Sequence, residues 1–218
     1  MLDEQGAPLP DAIIFVANSE VDGAEGLRVM DQKNKQFLPS TLLIQQGQTV
    51  RFPNSDNIRH NVYSFSQVKS FELALYGDSR APDVNFNKPG AVAIACNIHD
   101  QMRGFIFVSP GPQAWQTNQQ GEAMIPDTLT QASVWHPRLS VNGTESVAVS
   151  IRPGSHIVVA LKPEIKPVSR TLGSRAFGIW RWTVDGIPAQ TGIKNNAGSE
   201  YGSTDTLEQR PAGLCATR

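Results

Sequence analysis

Ala91-Val-Ala-Ile-Ala-Cys96-Asn-Ile-His99-Asp-Gln-Met102-Arg-Gly-Phe-Ile-Phe-Val108 is the stretch that decides how this chain folds. Two apolar runs, 91–95 and 105–108, flank a short polar stretch in which a thiol, an imidazole and a thioether recur at every third position. Short apolar runs rich in β-branched and aromatic residues, bounded by Gly, Pro and Asn, read as strands. Pro89-Gly90 opens the first run and Gly104 the second, so the segment is a strand, a tight connection and a strand, with Cys96 delivered from a strand end. Working outward, strands are predicted over 12–17, 42–45, 49–53, 62–65, 71–75 and 84–86. Residues 18–35 form a polar, charged connection and 76–83 a Gly/Pro/Asp loop. Roughly seven to nine short strands with frequent turn signals argue for an all-β sandwich.

Cys and Met are soft ligands and imidazole serves several transition metals, so Cys96, His99 and Met102 together suit copper. Two His, one Cys and a weak axial Met is the ligand set of electron-transfer copper centres. The second imidazole is available at His60, in Thr49-Val-Arg-Phe-Pro-Asn-Ser-Asp-Asn-Ile-Arg-His60-Asn-Val-Tyr-Ser-Phe65, where one strand-like run ends in a polar turn and another begins. Cys96 alone reads equally as a buried structural thiol, since free Cys behaves as a small hydrophobe. His60 and the strands around it tip the balance to a metal site. Zinc is the competing ion, because Cys96, His60, His99 and Asp100 make a tetrahedral N, S and O set. Met102 favours copper, since a thioether adds little to zinc.

With Cys96-x2-His99-x2-Met102 preceded by Phe37-Leu-Pro39, Leu42-Leu-Ile44, Gly47, Val50, Phe52, Asn54, Asp56 and His60-Asn61-Val62, residues 1–163 resemble the cupredoxins. The likeness is to plastocyanin- and amicyanin-like members, and more closely to bacterial proteins named methylamine utilisation protein-like. It implies a Greek-key β-sandwich over 1–109 holding one type 1 copper per chain on His60, Cys96, His99 and Met102. Asn61 either caps a turn or ties the two ligand loops, its backbone N–H reaching the Cys96 sulfur and its side chain bridging. His99, on the short loop, is expected nearest solvent, with Pro89 and Met102 flanking it as a docking patch for redox partner proteins.

Ser109-Pro-Gly-Pro112 ends the first module. Residues 110–163, with Gln120-Gly, Ile125-Pro-Asp127 and Ala132-Ser-Val-Trp-His-Pro137, resemble the small transthyretin-like module seen as a carboxypeptidase regulatory domain. Strands over 145–151 and 156–161 are expected to form a hairpin through Arg152-Pro-Gly-Ser155. His136 and His156 lack partners at ligand spacing and read as structural and surface residues. Residues 164–218 form a polar, flexible tail, largely disordered, with one apolar island at 177–182.

Charge is balanced, with 19 Lys plus Arg against 20 Asp plus Glu. No basic field is available for nucleic acid or an anionic membrane. With 39% apolar residues, 18 Gly and 15 Pro, the chain is turn-rich, and no apolar run is long enough for a membrane-spanning segment. Cys215 lies in the tail and is expected to stay unpaired with Cys96. Met1-Leu-Asp-Glu is no signal peptide. The family likeness implies an export signal ahead of it, and hence a mature periplasmic protein. The expected function is one-electron transfer, with copper delivery or storage as the alternative. An enzyme is disfavoured, because after His60 and His99 only His136 and His156 remain for a further metal.

Overall fold

The computed structural model describes residues 1–17, 23–77, 81–152 and 154–163. Met1–Arg170 belongs to one compact unit, and a second, Thr171–Arg218, lies outside the described residues. So do the apolar island, Cys215 and the expected tail.

All regular structure among the described residues is β. Strands are numbered in chain order. A five-stranded sheet occupies the middle, in the order β6 (Thr41–Gln45), β12 (Arg103–Ser109), β11 (Gly90–Ala95), β8 (His60–Phe65), β9 (Ser70–Tyr76). Its β6–β12 pair is parallel and the other pairs are antiparallel. Period-two alternation sends Leu42, Ile44, Val92, Ile94, Ile106 and Val108 to one face. There they meet Val50, Val84, Phe52 and Phe86 from a three-stranded sheet, β10 (Asp83–Asn85), β7 (Thr49–Arg51), β3 (Leu27–Val29), and the segments beside it. These two sheets make the β-sandwich.

The opposite face of the middle sheet is also covered. Ala91, Leu43, Phe105 and Phe107 pack on Ile13, Phe15 and Trp135. Those three belong to a four-stranded sheet in the order β13 (Ala114–Gln116), β2 (Ile13–Phe15), β14 (Gln131–Trp135), β15 (Ser146–Ser150). Trp135 is fully buried, stacks 5.0 Å from Phe107, and donates its indole N–H to Gly143 O at 2.8 Å. Burial on both faces explains why β12 reads as an unbroken Phe-Ile-Phe-Val run.

Three expectations need correction. The boundary at 109 assigned the N-terminal residues to the first module, yet β2 is hydrogen-bonded between β13 and β14. β1 (Leu2–Asp3) likewise pairs in parallel with β16 (Val158–Val159). An apolar strand carries no mark of which sheet it will complete. Second, the Ser155 N–H donates to Arg152 O, but among the described residues no hairpin follows, because β16 pairs with β1 and not β15. Third, the connection over 18–35 contains β3 and also β4 (Asp31–Lys33), which forms a hairpin with β5 (Gln36–Leu38). All three β3 side chains, Leu27-Arg28-Val29, are exposed, and so short an alternation inside a polar stretch does not stand out.

Candidate metal centre

β11 and β12 are joined by the loop 96–102, in register at Ala95 and Arg103. The Cys96 N–H donates to Met102 O (3.1 Å) and the Met102 N–H to His99 O (2.8 Å), which fold the loop tightly over the sheet end. Cys96 is 3% exposed and Met102 1%, both within the sandwich core. His99 is half-buried and Asp100 exposed.

His60 opens β8, where the pairing with β9 shifts register between His60 and Val62. The extra residue lies on β9, where the three steps from Leu73 to Tyr76 face two on β8. His60, Asn61 and Val62 are all buried at this end of β8.

These elements bring His60, Cys96 and His99 together, their ligand atoms all within 4.8 Å of one another. Cys96 Sγ lies 3.8 Å from His60 Nδ1 and 3.8 Å from His99 Nδ1. The two rings sit 4.8 Å apart, tilted by 59°. Separations of 3.8 Å leave room for one ion bonded at about 2.3 Å to sulfur and about 2.0 Å to nitrogen. The donor set, one buried thiol and two imidazoles, fits copper. Asp100 stands outside the group, which removes the fourth ligand weighed for zinc.

Asn61 Oδ1 accepts the Asn97 N–H (3.0 Å) and lies 3.2 Å from Cys96 Sγ, whose S–H donates to it. The link expected from the backbone of Asn61 is thus made by its side chain, which joins β8 to the ligand loop. Burial, then the neighbouring His60 and Lys35, hold the His99 pKa below its ordinary value, so its ring is neutral and able to ligate near pH 7.

One residue was missed as a partner of the site. His60 Nε2, on the far side of its ring from Cys96, lies 2.8 Å from Asp56 Oδ2. Asp56 also accepts the Asn34 N–H on Oδ1 (2.9 Å) and the Lys35 N–H on Oδ2 (2.8 Å). Burial pushes the Asp56 carboxyl up, but its bonds to the Lys35 N–H, His60 and the Asn34 N–H outweigh this and hold it below the usual carboxylate range. The available signal was Asn34-Lys35 between Asp31-Gln-Lys and Gln-Phe-Leu38, since Asn at a two-residue turn favours a tight hairpin.

The expected docking patch is also corrected. Pro89 precedes β11 while Cys96 follows it, so a six-residue strand, about 20 Å long, separates Pro89 from the ligands. Met102 is buried. The exposed apolar neighbour of His99 is Ile98, 52% accessible.

Among solved structures, the chain is similar to amicyanin: a reduced Cu(I) form of an amicyanin mutant at pH 4 is 26% identical over 44% of this chain and 90% of that one, with a TM-score of 0.35. A copper-containing nitrite reductase from Thermus scotoductus SA-01 is 25% identical over 45% of this chain and 25% of its own length, with a TM-score of 0.38. No protein-family profile and no curated protein sequence matches. No helix among the described residues is long and apolar enough to cross a membrane.

Proposed function

We propose that this chain is a mononuclear type 1 copper protein of the cupredoxin kind that passes single electrons between redox partner proteins in the periplasm. The observation that carries the proposal is the buried Cys96 thiol with an imidazole Nδ1 at 3.8 Å on each of two sides. His60, Cys96 and His99 would hold the ion, with the Met102 thioether as a further soft donor. Bound copper would supply the one-electron Cu(II)/Cu(I) couple, tuned by the soft sulfur donors.

The chain's own part is rigidity. Cys96, Met102 and His60 are packed in the core, the loop is closed by Cys96 N–H to Met102 O, and Asn61 ties β8 to that loop. Donors held in this way move little when the charge at their centre changes. His99, half-exposed beside Ile98, is the edge at which an electron would leave. The proposal is for a carrier and not an enzyme. His136 is buried at the end of β14, His156 is exposed, and neither belongs to the His60, Cys96, His99 group. The reading of 110–163 as a carboxypeptidase-regulatory-like module, and the export implied by the family likeness, are parts of the same proposal.

The test is to load the protein with Cu(II), reduce it with ascorbate, reoxidise it with ferricyanide and offer a Cu(I) chelator at the reduced stage. A carrier takes up and returns one electron per chain over repeated cycles with copper retained. Prompt surrender of Cu(I) to the chelator would favour delivery or storage.

A further inference from the structure

We propose that Asp56, held by the β4–β5 hairpin turn, is a positioning residue that sets the ring orientation and tautomer of His60, leaving Nδ1 as the free lone pair facing Cys96. This rests on the reading of His60 as a metal ligand. A fully buried imidazole must satisfy both nitrogens, and here Nε2 finds only a carboxylate oxygen at 2.8 Å. An ionised carboxylate accepts and never donates, so Nε2 carries the proton and a neutral ring has its acceptor at Nδ1. A carboxylate on the non-ligating nitrogen of a histidine also raises the basicity of the ligating one.

The carboxylate is itself fixed from a distant part of the chain. Asn34 and Lys35 both have positive φ, 54° and 57°, as the two central residues of the hairpin between Lys33 and Gln36. That left-handed pair aims two successive N–H groups at the two oxygens of Asp56. Asp31 Oδ1 accepts the Ser55 N–H (3.2 Å), and Asn54 Oδ1 accepts the Asp56 N–H (3.0 Å). The segment before His60 is therefore clipped to the hairpin at Ser55 as well as through Asp56, and folded locally by Asn54. Three donors converge on one carboxylate, and an amide cannot replace it: asparagine offers one acceptor oxygen and one NH2, so one hairpin N–H would face another donor.

Long-range 15N correlation spectra of the imidazoles test this in the metal-free protein, without reference to copper. Wild type is expected to show His60 as the Nε2–H tautomer. Asp56→Asn, with its fold checked by the dispersion of the amide spectrum, is expected to show mixed or Nδ1–H tautomers. Lys35→Gly, which keeps the N–H and suits positive φ, is expected to match wild type. In competition titrations with a chromophoric chelator, Asp56→Asn is expected to bind copper about 10- to 100-fold more weakly. A wild-type His60 in the Nδ1–H form would overturn the proposal, and so would a folded Asp56→Asn with unchanged tautomer and unchanged affinity. If wild type shows the expected tautomer but binds no copper, the metal reading fails while the positioning by Asp56 stands.

Discussion

At the scale of single residues, Met102 is what would separate a tuned redox site from a generic metal site in the proposed copper centre. It is fully buried in the same core as Cys96. Leu conserves its volume, and such swaps cost less than about 1.5 kcal/mol. Met102→Leu should accordingly leave the thermal midpoint and the copper content nearly unchanged while shifting the reduction potential, read by spectroelectrochemistry. An unshifted potential would reduce Met102 to core packing. His136 governs a different property. Burial and then the adjacent Arg138 lower its pKa to about 4, and the Arg138 N–H donates to its Nδ1 at 3.2 Å. Unfolded, it would titrate near 6.5. Between those values the unfolded chain binds more protons, so stability falls as pH drops from about 6.5 to about 4, by on the order of 2 kcal/mol. Denaturant midpoints measured across this range should decline in wild type and decline less steeply in His136→Gln, where His99, also held below its ordinary pKa, still contributes. At this scale Cys96, His99 and Met102 were legible because a seven-residue loop must keep them close. Asp56 was not, because its partners Asn34 and Lys35 lie more than twenty positions upstream and reach it only through a hairpin of polar residues.

Between residue and molecule stand the elements, and two irregularities place the ligands. One is the register shift between β8 and β9, whose extra residue lies on β9 opposite the start of β8. Period-two reasoning cannot see such a shift, and the burial of both His60 and Asn61 was not readable from alternation. The other is Gly104, directly after the ligand loop on β12. A Cβ there would sit 3.1 Å from Phe37 Cβ, 3.2 Å from Ser40 O and 3.3 Å from Ile94 Cγ1. The surrounding strands would have to give way, and over-packing of this kind typically costs 1–3 kcal/mol, so Gly104→Ala should lower stability by about that amount. Calorimetry of the metal-free protein checks it, and an unchanged midpoint would show that β5 and β6 yield freely. The longer strands with alternating or continuous apolar residues were legible. β3 was lost because Leu27-Arg28-Val29 is a three-residue alternation inside a polar connection, and its partner β7 lies about twenty positions downstream.

The described part of the molecule is three layers with a shared middle. Because one sheet contributes to two cores, the sandwich and the 110–163 segment should unfold together. Trp135 is the largest side chain fully buried between them, flanked by Phe105 and Phe107. Trp135→Ala should cost about 3–5 kcal/mol and lower the transitions followed by far-UV dichroism and by copper-site absorption alike. If only the dichroism moved, the layers would be energetically independent. The sandwich was legible from strand count and spacing, whereas the pairing of β1 with β16 and of β2 between β13 and β14 was not, since partner choice is a tertiary matter. Visible absorption during Cu(II) titration, with copper determined on the same sample, tests whether Cys96 binds copper as its thiolate. An intense blue or green band that saturates at one copper per chain in wild type and is missing in Cys96→Ala is the predicted result. Copper bound without that band, or equal colour in Cys96→Ala, would contradict it.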